Sequence, residues 1–387
     1  MRPSYPSRAA PLFSILNRSV IALRLLGRRL VRVPRWCNVA LTPGITTRES
    51  AMKIDGPFYA KLGEAAAEAR RLAGIGYDGV YTLEGSWDPF LPLVMATEHA
   101  PALDIATGIA VAFPRNPMHL AYQAWDLQRF SGGKFLLGIG SQVRAHIENR
   151  FGVPFNPPAA RMREYILALK AIFSCWQDGS PLKFEGKYFR HTLMTPMFNP
   201  GPLECGPPPI LLGALGPKMT EVAGEVADGL IVHPFNSVPF LTDHALPAVH
   251  RGLATAGRPR SEFILQINAI VITGETPEQR RAATESVKGL LGFYASTPAY
   301  RPPMEAIGYG DLQPELNRLS KAGSWDKLGS YIDQTFLEAF ATIGQPDEIA
   351  GKLRQKYGEH ADRLAIYAPY QAPDAMWSSI IAQLKKD

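Results

Sequence analysis

Cysteine is scarce in this 387-residue chain: there are three, Cys37, Cys175 and Cys205, odd in number and far apart. That excludes a disulfide framework and any C-x-x-C metal or redox motif. The pattern suits a reduced, cytoplasmic protein. Long apolar runs are missing too. Every charge-free stretch is shorter than the roughly 18 residues that a membrane span needs, so no stable membrane insertion is expected. No His-x-His pair occurs. A metal-dependent barrel hydrolase would want one after its first strand, so no metal is expected. No G-x-G-x-x-G follows the first strand-like segment, where Asp55-Gly-Pro-Phe58 stands instead, and this argues against a Rossmann dehydrogenase. No internal repeat is present, and no low-complexity stretch beyond Pro207-Pro-Pro209.

Acid is nearly absent from one region. Residues 1–51 hold nine arginines, no lysine and one acid, Glu49, a surplus of eight positive charges. The other 336 residues hold 32 bases and 34 acids. The basic character therefore belongs to the tail, and the mildly acidic body carries no nucleic-acid footprint. As a helix, residues 18–33 would gather Arg18, Arg24, Arg28, Arg29 and Arg32 on one arc. Such a stretch suits a transit peptide or a membrane-surface helix. The plainer reading is a disordered extension or an upstream start, because Met52 opens a strand-like segment. Residues 1–51 are set aside as an extension, and 52–387 are read as one barrel domain.

From Met52 onward, short apolar runs alternate with stretches of helical period. Strands are expected at 52–55, 79–83, 103–112, 135–140, 209–213, 229–233, 263–273 and 363–367. Helices are expected between them, several opened by proline, as at Pro89, Pro117, Pro158 and Pro217. This alternation favours a parallel sheet with helical crossovers, and eight such units close into a (β/α)8 barrel. Residues 176–208 and 285–345 do not fit the simple unit. They read as insertions after strands four and seven, covering the barrel mouth.

Four passages, in order and at barrel spacing, carry a resemblance. They are Ala69-Arg-Arg-Leu-Ala-Gly-Ile-Gly-Tyr-Asp-Gly-Val-Tyr81; Thr107-Gly-Ile-Ala-Val111 with Asn116-Pro117, Ser131-Gly-Gly-Lys-Phe135 and Gly138-Ile-Gly140; Pro208-Pro-Ile-Leu-Leu-Gly-Ala-Leu-Gly216 with Ala227-Asp-Gly229; and Gly344-Gln-Pro-Asp-Glu-Ile-Ala-Gly-Lys-Leu353. Together they resemble the bacterial luciferase-like flavin/deazaflavin superfamily, and most closely its coenzyme F420-dependent oxidoreductase branch. Lys134 stands where that family's pattern has arginine.

Such a cofactor needs a flat apolar slot and an anion site, and barrels place active residues at the C-terminal ends of strands. Gly140, Ser141 and Gln142 end strand four and could offer backbone N–H groups. Ala214, Leu215, Gly216 and Lys218 end strand five and open a helix, where free amides and the helix dipole favour phosphate. For both, ordinary strand-to-helix punctuation is the plainer alternative. The resemblance further implies a bulge with a non-proline cis peptide near Gly108–Ile109, propping the ring from behind. Glu84 ends strand two and is the first choice for proton transfer, although many deazaflavin relatives use an Asp-His pair there that this chain lacks. A surface carboxylate is its alternative. His233 closes strand six and is the second catalytic candidate, against a hydrogen-bonded rim histidine. Arg144 and His146 could meet the cofactor's anionic end or lie on a solvated face, where Arg150 is placed. His191, in an insertion, could reach the pocket. Trp87, Tyr59 and Phe113 near strand ends suggest a largely apolar substrate.

The expected activity is hydride transfer between coenzyme F420 and a small alcohol, ketone or activated alkene. An FMN-dependent monooxygenase fed by an external flavin reductase is the alternative, and a non-catalytic flavin-binding relative a third. A homodimer and a reductase that supplies reduced cofactor are the partners left open.

Overall fold

The computed structural model describes residues 52–386. The basic extension, residues 1–51, lies outside the described residues. Eight parallel strands form the barrel: β1 (Lys53–Pro57), β2 (Gly79–Thr82), β3 (Asp104–Thr107), β4 (Phe135–Gly140), β5 (Ile210–Ala214), β6 (Gly229–Val232), β7 (Ile264–Ile272) and β8 (Arg363–Tyr367). Each pairs in parallel with the next, β6 joins β7, and β8 joins β1 to close the cylinder. Closure leaves no exposed edge among these strands.

Crossover helices cover the outside, and their ends are chemically marked. Asn116 caps α1 (Pro117–Phe130) by accepting the Met118 N–H, with proline at the first helical position, where a missing N–H costs nothing. The 21-residue α2 (Pro158–Asp178) and the ten-residue α3 (Pro217–Val226) also open on proline. Trp125 and Trp176 are fully buried where α1 meets α2, ring centroids 5.3 Å apart. Burying each such side chain is worth about 1.5–3 kcal/mol or more.

The third strand differs from its expected continuous run over 103–112. It stops at Thr107, and a two-residue strand, Ala110–Val111, resumes beside β4. The Gly108–Ile109 peptide between them is cis, at the place the resemblance assigned. Glycines opposite make room for this bulge. A Cβ on Gly138 would stand 1.8 Å from the Thr107 carbonyl oxygen, and on Gly213 2.8 Å from Ile109.

Both expected insertions are present. The first, following α2, carries a hairpin, Phe184–Glu185 with Arg190–His191. The second, after β7, builds a core of its own from Val287, Leu291, Met304, Leu316, Phe336 and Phe340. It also contains a strand absent from the sequence-based expectation, Ala341–Ile343, which pairs with the last three residues of β7. Ile270 faces Tyr367 on one side and Ala341 on the other, whereas Gln266 lies between Ile231 and Arg363. The extra strand therefore continues the edge that β6 leaves, and it carries the insertion over the end of β6.

Candidate active site at the barrel mouth

Side chains alternate along each strand, so one set from every strand points into the barrel. At the N-terminal end the inward set is charged. Arg363 makes two hydrogen bonds to Asp55, at 2.5 and 2.8 Å, and one to Asp104 at 2.8 Å. Lys53 adds a 2.6 Å contact to Asp104. Burial alone would raise the Asp104 carboxyl, but Arg363 and Lys53 outweigh it and hold it below its ordinary value. Above lies an apolar layer of Tyr81, Ala106, Leu136, Leu211, Ile231 and Ala365.

The mouth above this layer is aromatic. His233, immediately after β6, packs against two rings of the second insertion, Tyr294 at 5.0 Å and Tyr300 at 4.6 Å between centroids. The Tyr294 and Tyr367 hydroxyls lie 3.5 Å apart. Tyr59, just past β1, interacts through its hydroxyl with Tyr81 and Tyr367. Tyr81 in turn donates to the Ile366 carbonyl at 3.2 Å. Burial pushes the Tyr300 phenol up to about 12, and those of Tyr59, Tyr81 and Tyr294 well above the usual range. These phenols therefore stay protonated at physiological pH. Tyr59 nevertheless keeps 49% of its surface accessible, as a side chain lining an open cavity does.

His233 Nδ1 accepts the Phe235 N–H at 3.0 Å. In a neutral imidazole this assigns the remaining proton to Nε2. Burial pushes the imidazole pKa down to about 3, so the ring is neutral at physiological pH. His233 can thus present Nε2–H as a hydrogen-bond donor toward the mouth. It is not a cationic acid.

Glu84 has a different setting from the one expected. Its Oε2 accepts the Val111 N–H at 2.7 Å and Arg115 Nη1 at 2.6 Å, while its own N–H donates to the Ile109 carbonyl at 3.3 Å. Glu84 therefore holds the bulge from both sides, by its carboxylate at Val111 and by its backbone N–H at Ile109. Gly140 is a ladder residue paired with Val111 and Gly213, and its missing Cβ leaves space for the Ile109 side chain, 3.0 Å from where that carbon would be. Its carbonyl is engaged in the sheet, accepting the Ala112 N–H at 2.9 Å. Ser141 and Gln142 begin the following loop, with Gln142 at φ +55° and its side-chain oxygen accepting the Val143 N–H.

Ala214, Leu215, Gly216 and Lys218 do come together at the start of α3, which has no side-chain cap and no acid in its first turn. Lys218 is exposed there. Beside Ala214 and Leu215, Asn236 lies 3% exposed with neither side-chain polar atom partnered, in a recess that His233 also lines. An apolar residue at the bulge, Ile109, uncapped helix amides with a lysine, and the Asn236 amide beside Ala214 and Leu215 fit a flavin-type cofactor with an anionic tail. Among the described residues no cluster of three or more His, Cys, Asp or Glu could hold a metal ion.

Other expectations separate. Trp87 is exposed, and Phe113 is buried away from solvent. Arg144 and His146 are exposed, and Arg150 reaches back to the Gly85 carbonyl at 2.9 Å. His191 lies in the first insertion, its Nε2 buried and unpartnered. Sequence reasoning missed Tyr81, Tyr294, Tyr300 and Tyr367. Tyr81 and Tyr367 could have been found, since both sit near strand ends. Tyr294 and Tyr300 carried no such signal.

A closed eight-stranded barrel with its open polar groups at the strand ends is the architecture of a barrel enzyme. The luciferase-like monooxygenase family is matched over residues 41–363, and the chain belongs to it. An uncharacterized protein of Mycobacterium tuberculosis is 48% identical over 313 residues, 81% of this chain and 92% of that one. The coenzyme F420-dependent tetrahydromethanopterin reductase of Methanopyrus kandleri superposes with a TM-score of 0.69 at 20% identity, covering 87% of this chain and 98% of that one. The oxygenating constituent of 3,6-diketocamphane monooxygenase from Pseudomonas putida, solved with FMN, superposes with a TM-score of 0.61 at 17% identity, covering 87% and 98%. Among the described residues no helix is long and apolar enough to cross a membrane.

Proposed function

We propose that this protein is a cytoplasmic oxidoreductase that moves a hydride between coenzyme F420 and a small, largely apolar substrate bearing a carbonyl, a hydroxyl or an activated alkene. The observation that carries this reading is the neutral His233, whose Nδ1 is engaged by the Phe235 N–H and whose ring packs on the phenol rings of Tyr294 and Tyr300 at the end of β6. The family match and the F420-dependent structural neighbour support it. When bound, the deazaflavin supplies the carbon that donates or accepts the hydride.

The chain's own groups do the rest. Ile109, held by the Glu84–Arg115 clamp, backs the ring. The α3 N-terminus with Lys218 and Asn236 holds the anionic end. His233 Nε2–H, with Tyr294 and Tyr367, donates to the substrate oxygen and fixes its orientation. The apolar flank of Tyr300, packed on His233, keeps water from that side of the imidazole, which strengthens those hydrogen bonds.

The test is a parallel fluorescence titration of the full chain with F420 and FMN. Tight binding of F420 alone supports hydride transfer. Binding of FMN alone moves the reading to oxygen chemistry with a flavin-reductase partner. Binding of neither removes the cofactor argument. In an active preparation, His233→Gln should lower kcat at least tenfold with cofactor affinity unchanged. Equal turnover would return His233 to a structural role.

A further inference from the structure

A second polar feature lies apart from the tyrosine cluster, at the start of the longest helix. Arg161 is the fourth residue of α2. Its guanidinium is stacked over Phe113 at 4.7 Å and lies 5.9 Å from the centre of Phe189. Its hydrogen-bond partner is a backbone oxygen, the Pro154 carbonyl. No carboxylate pairs with it among the described residues, although it is half-buried and burial holds it below its ordinary value.

The position makes this costlier. The first turn of α2 contains no acid. The positive end of the helix dipole and the guanidinium therefore reinforce one another, where a helix N-terminus favours negative charge. The nearest acid in sequence does not help. Glu164 accepts the N–H groups of Lys187, Tyr188 and Phe189, which pins the hairpin so that Phe189 covers Arg161. Arg115 is already paired with Glu84. Arg144 brings a further positive charge, 5.7 Å over Phe155, which meets Phe113 edge-on at 6.1 Å.

One turn along, on the same face, the Tyr165 hydroxyl is fully buried and has no partner among the described residues. Burial raises its phenol, and the charges of Arg115 and then Arg161 oppose that rise. A buried hydroxyl left unpaired in a native structure calls for an acceptor. An unmatched guanidinium and an orphan phenol thus lie one turn apart at the N-terminus of α2, both against Phe189, which Tyr165 meets edge-on at 5.2 Å.

We propose that this is an anion site for a small-molecule carboxylate with an apolar body. Arg161 is the half-buried charge here, Arg144 being exposed, and one half-buried guanidinium matches a monoanion. The planar guanidinium matches a carboxylate in two-point contact. The tyrosine supplies a further donor, and Phe113 and Phe189 provide walls for an aromatic or aliphatic body. A phosphate dianion would need more donors than these residues offer.

The experiment is calorimetric titration of the full chain with sodium benzoate, alongside inorganic phosphate. Saturable benzoate binding is expected, with phosphate weaker. Arg161→Gln should lower benzoate affinity at least tenfold, Arg161→Lys less, and Tyr165→Phe about threefold to fivefold. His233→Gln should leave it within twofold. If Arg161→Gln does not fold, Tyr165→Phe still decides. Absence of saturable binding to the wild type overturns the proposal. So does an unchanged affinity in Arg161→Gln or Tyr165→Phe, a stronger response to phosphate, or a loss in His233→Gln that assigns binding to the mouth. None of these readouts involves F420 or FMN, so the outcome is separate from that of the proposed activity.

Discussion

The two ends of the barrel interior solve the same problem in opposite ways. Both place polar side chains inside a closed sheet. At the N-terminal end Arg363, Asp55, Asp104 and Lys53 satisfy one another at hydrogen-bond distance. At the C-terminal end the Asn236 amide has no partner among the described residues, His233 engages only Nδ1 in the hydrogen bonds found there, and Tyr59 keeps half of its surface accessible. A polar group whose needs are met inside the fold serves stability. One whose needs are left open at the mouth is free to meet a ligand. The difference teaches where to look for chemistry in such a barrel, because composition at the two ends is not decisive and partnering is.

The comparison can be broken most forcefully at the closed end. Arg363→Leu would leave Asp55 buried without its partner, and removal of one member of a buried pair costs about 3–5 kcal/mol. Urea denaturation should show that loss. A change below about 1 kcal/mol would mean the network is not a stabilising clamp.

Glu84→Gln probes whether the clamp on the bulge belongs with the closed end or the open one. Losing the charge beside Arg115 should cost about 1.5–3 kcal/mol of stability and weaken the cofactor of the proposed activity, since Ile109 would no longer be held. A normal thermal midpoint with lost turnover would instead make Glu84 a proton carrier.

His233 sharpens the open end through pH. Its folded pKa, about 3, is depressed below the ordinary unfolded value of about 6.5. Above that value neither state takes a proton, and the group adds no pH dependence. As pH falls below it, the unfolded chain gains a proton that the folded one refuses, so stability falls until about pH 3. The slope is at most about 1.4 kcal/mol per pH unit. Between pH 7 and 5 wild type should lose up to about 2 kcal/mol more than His233→Gln. Parallel pH profiles would show that the imidazole titrates normally in the fold.

The smallest effect is expected between the two ends. Gln266, on β7, is 1% exposed with both amide atoms unpartnered. Gln266→Leu replaces unsatisfied polar atoms by apolar ones and should stabilise by about 1 kcal/mol. Destabilisation would point to an internal water held by that amide.

Much of this was legible in the residues. The strand Phe135–Gly140 and the helix Pro217–Val226 fall where apolar runs and proline placed them, and Arg363–Tyr367 matches its expected bounds. The strand expected over 103–112 was read as continuous because its residues are apolar on both parities. The break at Gly108–Ile109 depends on glycines in β4 and β5 that are distant in sequence. Glu84 looked free because its partner, Arg115, lies 31 residues away. The tyrosines of the second insertion were invisible as site residues, since nothing local says that their helix hangs over β6.

Alternation of strand and helix, apolar period and proline-opened helices determined the barrel, because those signals act over a few residues and every unit repeats them. The family motifs are likewise written locally. Only the closed structure decided which polar groups find partners. Pairing Arg363 with Asp55, Arg115 with Glu84, and Tyr294 with Tyr367 requires chain segments 308, 31 and 73 residues apart to meet. Whether a buried polar atom is satisfied is a property of that meeting.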